Sequence, residues 1–184
     1  MSDTTLDPVG FYQFDLAQGT VRLQKGQRVL ALSEDVLASL IVTAVSHGDL
    51  TAVRSLGTQL GEMVADGLAG AVSKLPSAAV MGRAANLLAL FGWGRLNLER
   101  WGDALVLEMT DMPPLDDDNL AVAALLGGLF STLCGVEVAC VPLADAGKYI
   151  MVDPAIAEQV WTWSRDGETL PAIAARLVVE ESAS

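Results

Sequence analysis

His47 is the chain's one histidine, so any Ser-His-Asp or Cys-His relay would have to run through it. It stands beside Gly48 at the end of an apolar helical stretch, where the dipole favours a charged imidazole and a C-capping role is expected. No Gly-x-Ser-x-Gly elbow offers a nucleophile for it to activate. Asp116-Asp117-Asp118 form the densest group of acids. A calcium loop needs oxygen ligands at alternating positions and a distant Glu, and that spacing is absent. A solvated loop that caps the following helix accounts for all three. Gly92 and Gly94 bracket Trp93, but phosphate loops need a third glycine or Gly-Lys-Ser/Thr opening a helix, and these glycines precede a strand. They are expected to form a structural turn between a helix and a strand. Cys134 and Cys140 lie in apolar sequence and are expected as buried free thiols, since two thiols alone complete no zinc site. No catalytic residue, metal site or cofactor is therefore assigned.

The tryptophans are the remaining chemical resource. Trp93, Trp101, Trp161 and Trp163 make up much of an aromatic content of only 5%. Such rings pack cores, line ligand pockets, stack on sugars or anchor interfaces. Trp161-Thr162-Trp163 beside Arg165 is the group expected to make contacts between copies of the chain.

Composition narrows the field further. A chain of 184 residues that is 52% hydrophobic suits one domain with a real core. Its mean hydropathy is +0.41, yet it contains no uninterrupted apolar run of about 18 residues. The best candidate, Leu120 to Val136, holds three glycines and stops at Glu137. Met1 to Pro8 is acidic and polar, unlike a secretory signal, so a cytoplasmic location is expected. The net charge is −12, and the eleven Lys and Arg are scattered, which argues against nucleic acid and anionic membranes as partners.

These residues need elements to position them. An amino-terminal hairpin is expected over 10–32, from the runs Phe11 to Phe14, Val21 to Leu23 and Val29 to Leu32 around two Gly-containing turns. A helical part follows over 33–91. Ser33 is a good N-cap ahead of Glu34-Asp35; a second helix runs from Leu50 to about Val72, and a third from Ser77 to Phe91. On the second, Gly57 and Gly61 stand four apart, a spacing that lets another backbone approach closely. A hairpin–helix–hairpin unit is expected over 94–153, its helix from Leu120 to about Cys134 being apolar nearly all round and hence buried. Asp153-Pro154 opens the carboxy-terminal helices of 154–179, with an acidic tail beyond. Residues 1–184 thus read as a single domain of the α+β class, an antiparallel sheet packed against a helical layer on one side.

Asn86-Leu87-Leu88-Ala89-Leu90-Phe91-Gly92-Trp93-Gly94, followed by Leu98-Glu99, resembles the central motif of the bacterial cellulose synthase D family of accessory proteins. Ala124 to Phe130 is similar to that family's next helix, and Gly147 to Asp153 to its closing strand, so the likeness covers residues 83 to 153. The resemblance implies a non-catalytic accessory protein that forms ring-like homo-oligomers and helps order glucan export. The partner would then be a glucan chain or a protein of a secretion or assembly complex.

Gly19 to Leu23, Arg28 to Leu32, Leu37 to Leu40, Arg54 through Gly61 and Leu129 to Val138 are similar to the sensor domains of phenol- and xylene-responsive activators. Those domains belong to the vinyl-4-reductase-type superfamily, distant kin of the small TRAPP proteins. That resemblance implies a dimer with an apolar cavity between helices and sheet, lined here by Leu60, Met63, Phe91, Trp93 and Phe130. The metal-binding cysteine cluster of the sensors does not carry over, because only Cys134 and Cys140 are present. An assembly protein is the first expectation, and a dimeric module for an apolar ligand is the alternative.

Overall fold

The computed structural model describes residues 8–68 and 72–181. The acidic stretch 1–7, residues 69–71 and the last three residues of the tail lie outside the described residues, and the second helix, expected to run to about Val72, ends at Asp66 with Gly67 as its C-cap. Strands β1 (Tyr12–Asp15), β2 (Thr20–Leu23) and β3 (Arg28–Val29) form a small antiparallel sheet in that order. Its register sets Phe14 opposite Val21 and Val21 opposite Val29 on one face, with Gln13, Arg22 and Arg28 on the other. The start of this sheet is anchored to the body of the molecule. Phe11 and Leu23 are buried, and the rings of Phe11 and Tyr12 meet Phe91 edge to face. The Tyr12 hydroxyl donates to the Leu90 carbonyl at 2.8 Å. The third strand is shorter than expected. Leu30-Ala31-Leu32 leave the ladder because the chain must turn out of the sheet to begin the first helix at Glu34.

The helices are α1 (Glu34–Ser46), α2 (Thr51–Asp66), α3 (Ser77–Leu90), α4 (Leu120–Cys134), α5 (Ala157–Arg165) and α6 (Leu170–Glu181). Ser33 takes the N-cap position of α1, but its hydroxyl makes no capping bond; Glu34 and Asp35 place the favourable charge in the first turn instead. Asp153 caps as expected, accepting from the Ala155 N–H at 2.8 Å. Pro154 then starts a short 3-10 turn that leads into α5.

A second antiparallel sheet contains β4 (Arg95–Trp101), β5 (Ala104–Thr110), β6 (Ala139–Pro142) and β7 (Lys148–Val152), in the order β4-β5-β7-β6. Helices cover both of its faces, which corrects the expectation of one helical side. Leu107, Met109, Cys140 and Tyr149 point toward α2, α3 and α4. Val106, Val141, Ile150 and Val152 point the other way, onto Val160 and Trp163 of α5 and Leu170 and Ile173 of α6. The cause lies in the strands. β5 and β7 are apolar at nearly every position rather than at alternate ones, and a strand of that kind needs cover on both sides.

The crossing of α2 and α4 is the tightest packing in the molecule. Gly57 lies so close to the Leu125 carbonyl, and Gly128 to the Arg54 carbonyl, that a Cβ on either would overlap backbone. A Cβ on Gly61 would meet the Leu129 carbonyl at 2.9 Å. The expected close approach at Gly57 and Gly61 is therefore present, and Gly128 supplies its counterpart on α4, while Gly127 beside it makes room for the Arg54 guanidinium. Ten residues of α4 are buried, including Leu125, Leu126, Leu129 and Phe130.

Gly57→Ala and Gly128→Ala should each destabilise the fold by about 3 kcal/mol or more, because the obstructing atoms are backbone and cannot swing aside. Gly82 sits in α3 with open space around its Cα. Gly82→Ala should stabilise by roughly 0.5–1 kcal/mol through helix propensity. Urea midpoints of the three variants test the contrast.

Candidate functional site

The Gly-Trp-Gly turn is built by the end of α3. The Gly92 N–H donates to the Ala89 carbonyl at 3.1 Å and the Trp93 N–H to the Leu88 carbonyl at 2.9 Å. With Gly92 at φ +79°, this is a Schellman termination. Gly94 follows at φ +90°, and a Cβ there would run into the Thr110 carbonyl of β5. Both glycines are thus structural, as expected. Between them the Trp93 side chain turns into the core and is 7% exposed.

The five side chains expected to line a cavity are all part of one packed cluster. Leu60, Trp93 and Phe130 are buried, and Met63 and Phe91 pack against them at its edge. The surface concavities lie elsewhere. One of about 400 Å³ is bordered by Ala85, Asn86 and Ala89 of α3 and by Leu96 and Asn97 of β4. Another, of about 300 Å³, lies where the β4–β5, β6–β7 and α5–α6 turns converge, between Trp101, Asp145, Lys148, Glu168 and Pro171. Trp101 is 39% exposed there, its indole N–H donating to the Glu99 carboxylate at 3.0 Å. Lys148 reaches the same carboxylate at 3.4 Å. Together they hold Glu99 below the usual carboxylate range, the indole bond being the larger influence.

The expected interface group divides. Trp161 is half-buried, with the Arg165 guanidinium 6.0 Å from its ring and Arg165 itself exposed. Trp163 faces inward, buried in the second core beneath the Arg176 guanidinium at 4.9 Å. Arg176 is held in turn by Glu168 at 2.8 Å. Neighbours two apart on a helix point in different directions, so one ring of the pair goes to the core.

His47 ends α1, its Nδ1 2.7 Å from the Thr43 carbonyl and 3.3 Å from the Ser46 hydroxyl. That is the C-capping role expected of it. In the acidic loop only Asp116 acts as a cap. Its carboxylate accepts from the Leu120 N–H at 2.7 Å and the Ala121 N–H at 3.1 Å, satisfying two otherwise orphan donors of the buried α4. Asp117 and Asp118 are exposed to solvent. No group of three or more His, Cys, Asp or Glu among the described residues could hold a metal ion.

The two thiols differ from each other. Cys140 is buried as expected, and desolvation pushes its pKa up to about 12, against a smaller opposing pull from Arg54. Cys134 is exposed, contrary to expectation, because it lies in the last turn of α4, where the helix emerges from the core. Partial desolvation raises its pKa as well. Sequence spacing also gave no signal for Arg54. Its guanidinium bonds Ser131 Oγ at 2.9 Å, the Glu137 carboxylate at 2.5 Å and the Val138 carbonyl at 3.2 Å, tying α2 to the end of α4 and the approach to β6. Those partners are 77 to 84 residues away in the chain.

No protein-family model matches the chain, and no curated protein matches it at a significant level.

Asp116→Ala should cost about 1–2 kcal/mol by removing the cap of α4, while Asp118→Ala should leave stability within about 0.5 kcal/mol. Thiol titration of the native protein at pH 8 should label Cys134 ahead of Cys140, since a buried thiol of raised pKa presents little thiolate. The same raised pKa sets the sign of the alkaline response. Stability from the neutral Cys140 thiol is fully present below the unfolded value near 9 and is lost as pH rises from there toward 12. Urea midpoints measured from pH 7 to 11 should fall only in the upper part of that range.

Proposed function

We propose that this chain is a non-catalytic accessory protein of the cellulose synthase D type, a cytoplasmic homo-oligomer that helps organise glucan export or a related assembly. The observation that carries the proposal is the place of residues 83–153. The segment that resembles that family runs without interruption through α3, the Gly-Trp-Gly turn, the β4–β5 hairpin, α4 and the β6–β7 hairpin. It forms the centre of the fold. Its distinctive residues have structural tasks there: Gly92 terminates the helix, Gly94 permits close contact with β5, and Trp93 fills the core.

The side chains best suited to chemistry are engaged in the same way. His47 caps α1, Asp116 caps α4, and the Cys140 thiol is buried and held neutral. Among the described residues no helix is long and apolar enough to cross a membrane. A glucan chain or a protein of the assembly is the proposed partner. The alternative, a vinyl-4-reductase-like dimer around an apolar ligand, needs a cavity among residues such as Leu60, Trp93 and Phe130, which are buried members of the first core.

Native mass spectrometry of the full chain separates the two. The expected result is a closed oligomer of at least ~4 copies with no small molecule retained. A dimer carrying a further few hundred daltons would replace this proposal with the ligand-binding one. A bare monomer would count against both.

A further inference from the structure

We infer that a second copy of this chain docks on the amino-terminal unit, with the outer stripe of α1 at the centre of the contact. The inference rests on the oligomeric reading above and gives it a surface. Among the described residues, most of the exposed large apolar side chains fall within residues 8–46. Leu30 and Leu32, on the segment that leaves β3, are 79% and 56% exposed; Val36 and Leu40, one turn apart on α1, are 47% and 63% exposed. Phe14 and Leu16, at and just past the end of β1, are 68% and 90% exposed. The opposite side of α1 is already in use, since Leu37, Ala38, Ile41 and Val45 pack on the first core. An amphipathic helix needs one apolar stripe, and α1 has two.

Area and charge identify the occupant. Taking roughly 160–240 Å² for a fully exposed Val, Leu or Phe, these six side chains present on the order of 800 Å², which is what each partner contributes to an interface of standard size. The chain as a whole carries −12, so two copies repel each other over most of their surface. From residue 8 to residue 48 the balance is zero, with Arg22, Lys25 and Arg28 against Asp15, Glu34 and Asp35. This unit can therefore meet its own copy without setting like charge against like. A zero balance also offers nothing to an anionic membrane, which would need a basic excess beside the apolar stripe.

Sedimentation velocity on the full chain at tens of micromolar tests the inference. The paired substitution Val36→Glu with Leu40→Glu should weaken self-association at least ~10-fold. Val136→Glu, at a 64% exposed site outside this unit, should leave association unchanged. Circular dichroism checks that each variant is folded. If the α1 pair is not, Phe14→Asp with Leu30→Asp takes its place and should give the same loss. An assembly that survives the folded variants overturns this surface while leaving the oligomeric reading in place. Equal weakening by Val136→Glu also overturns it, by showing that added charge alone is responsible. A wild-type chain that stays monomeric overturns both.

Discussion

The backbones of α2 and α4 touch, and most of the structure follows from that contact. It exists because glycines stand on both helices where they cross, Gly57 against the Leu125 backbone, Gly61 against the Leu129 carbonyl, and Gly128 against the backbone of Arg54 and Thr58. With side chains absent at the crossing, α4 sinks between α2 and the four-stranded sheet, and its apolar circumference finds cover on every side. The same closeness brings Arg54 of α2 to the end of α4, where Ser131, Glu137 and Val138 receive its guanidinium. The polar network thus depends on the glycine contact and then reinforces it. Charged hydrogen bonds of this kind are useful here because they fix the chain's exit from α4 into β6.

A sheet covered on both faces has few side chains left over. Four aromatic or reactive groups are absorbed by the two cores: Trp93 and Tyr149 on one side, Trp163 on the other, and Cys140 beneath α4. The Tyr149 hydroxyl donates to the Met112 sulfur at 3.1 Å, and burial raises its pKa. What remains outside is a molecule with two characters. The body is acidic and well packed, whereas the amino-terminal unit is neutral overall and apolar on its outside.

Much of this is legible in the residues. The helix ending at Leu90, the turn at Gly92 and Gly94, and the β4–β5 hairpin follow from local rules about glycine and alternation. The Leu120–Cys134 helix is readable as buried because it has no polar face. The departures have equally local causes. Val29 to Leu32 has strand composition, but only Arg28 and Val29 pair, since strand formation depends on a neighbour as well as on propensity. The second helical cover escapes a one-sided reading because Leu105, Leu107 and Met109 satisfy an alternating pattern by themselves, which hides the second buried face that Val106 marks between them. Trp161 and Trp163 look like a pair in the chain, yet a helix sends positions two apart in different directions.

By itself, the sequence determined the elements, their approximate ends, the caps at His47 and Asp153, and the glycines that permit close packing. These depend on interactions within a few residues, which spacing and residue type encode directly. Only the tertiary structure decided that Asp116 alone caps α4, that Arg54 closes a network with partners about eighty residues away, and which tryptophans are consumed by the core. It also decided that α1 keeps an apolar stripe turned outward. Those facts depend on which faces meet across long stretches of chain, and a one-dimensional pattern does not carry that information.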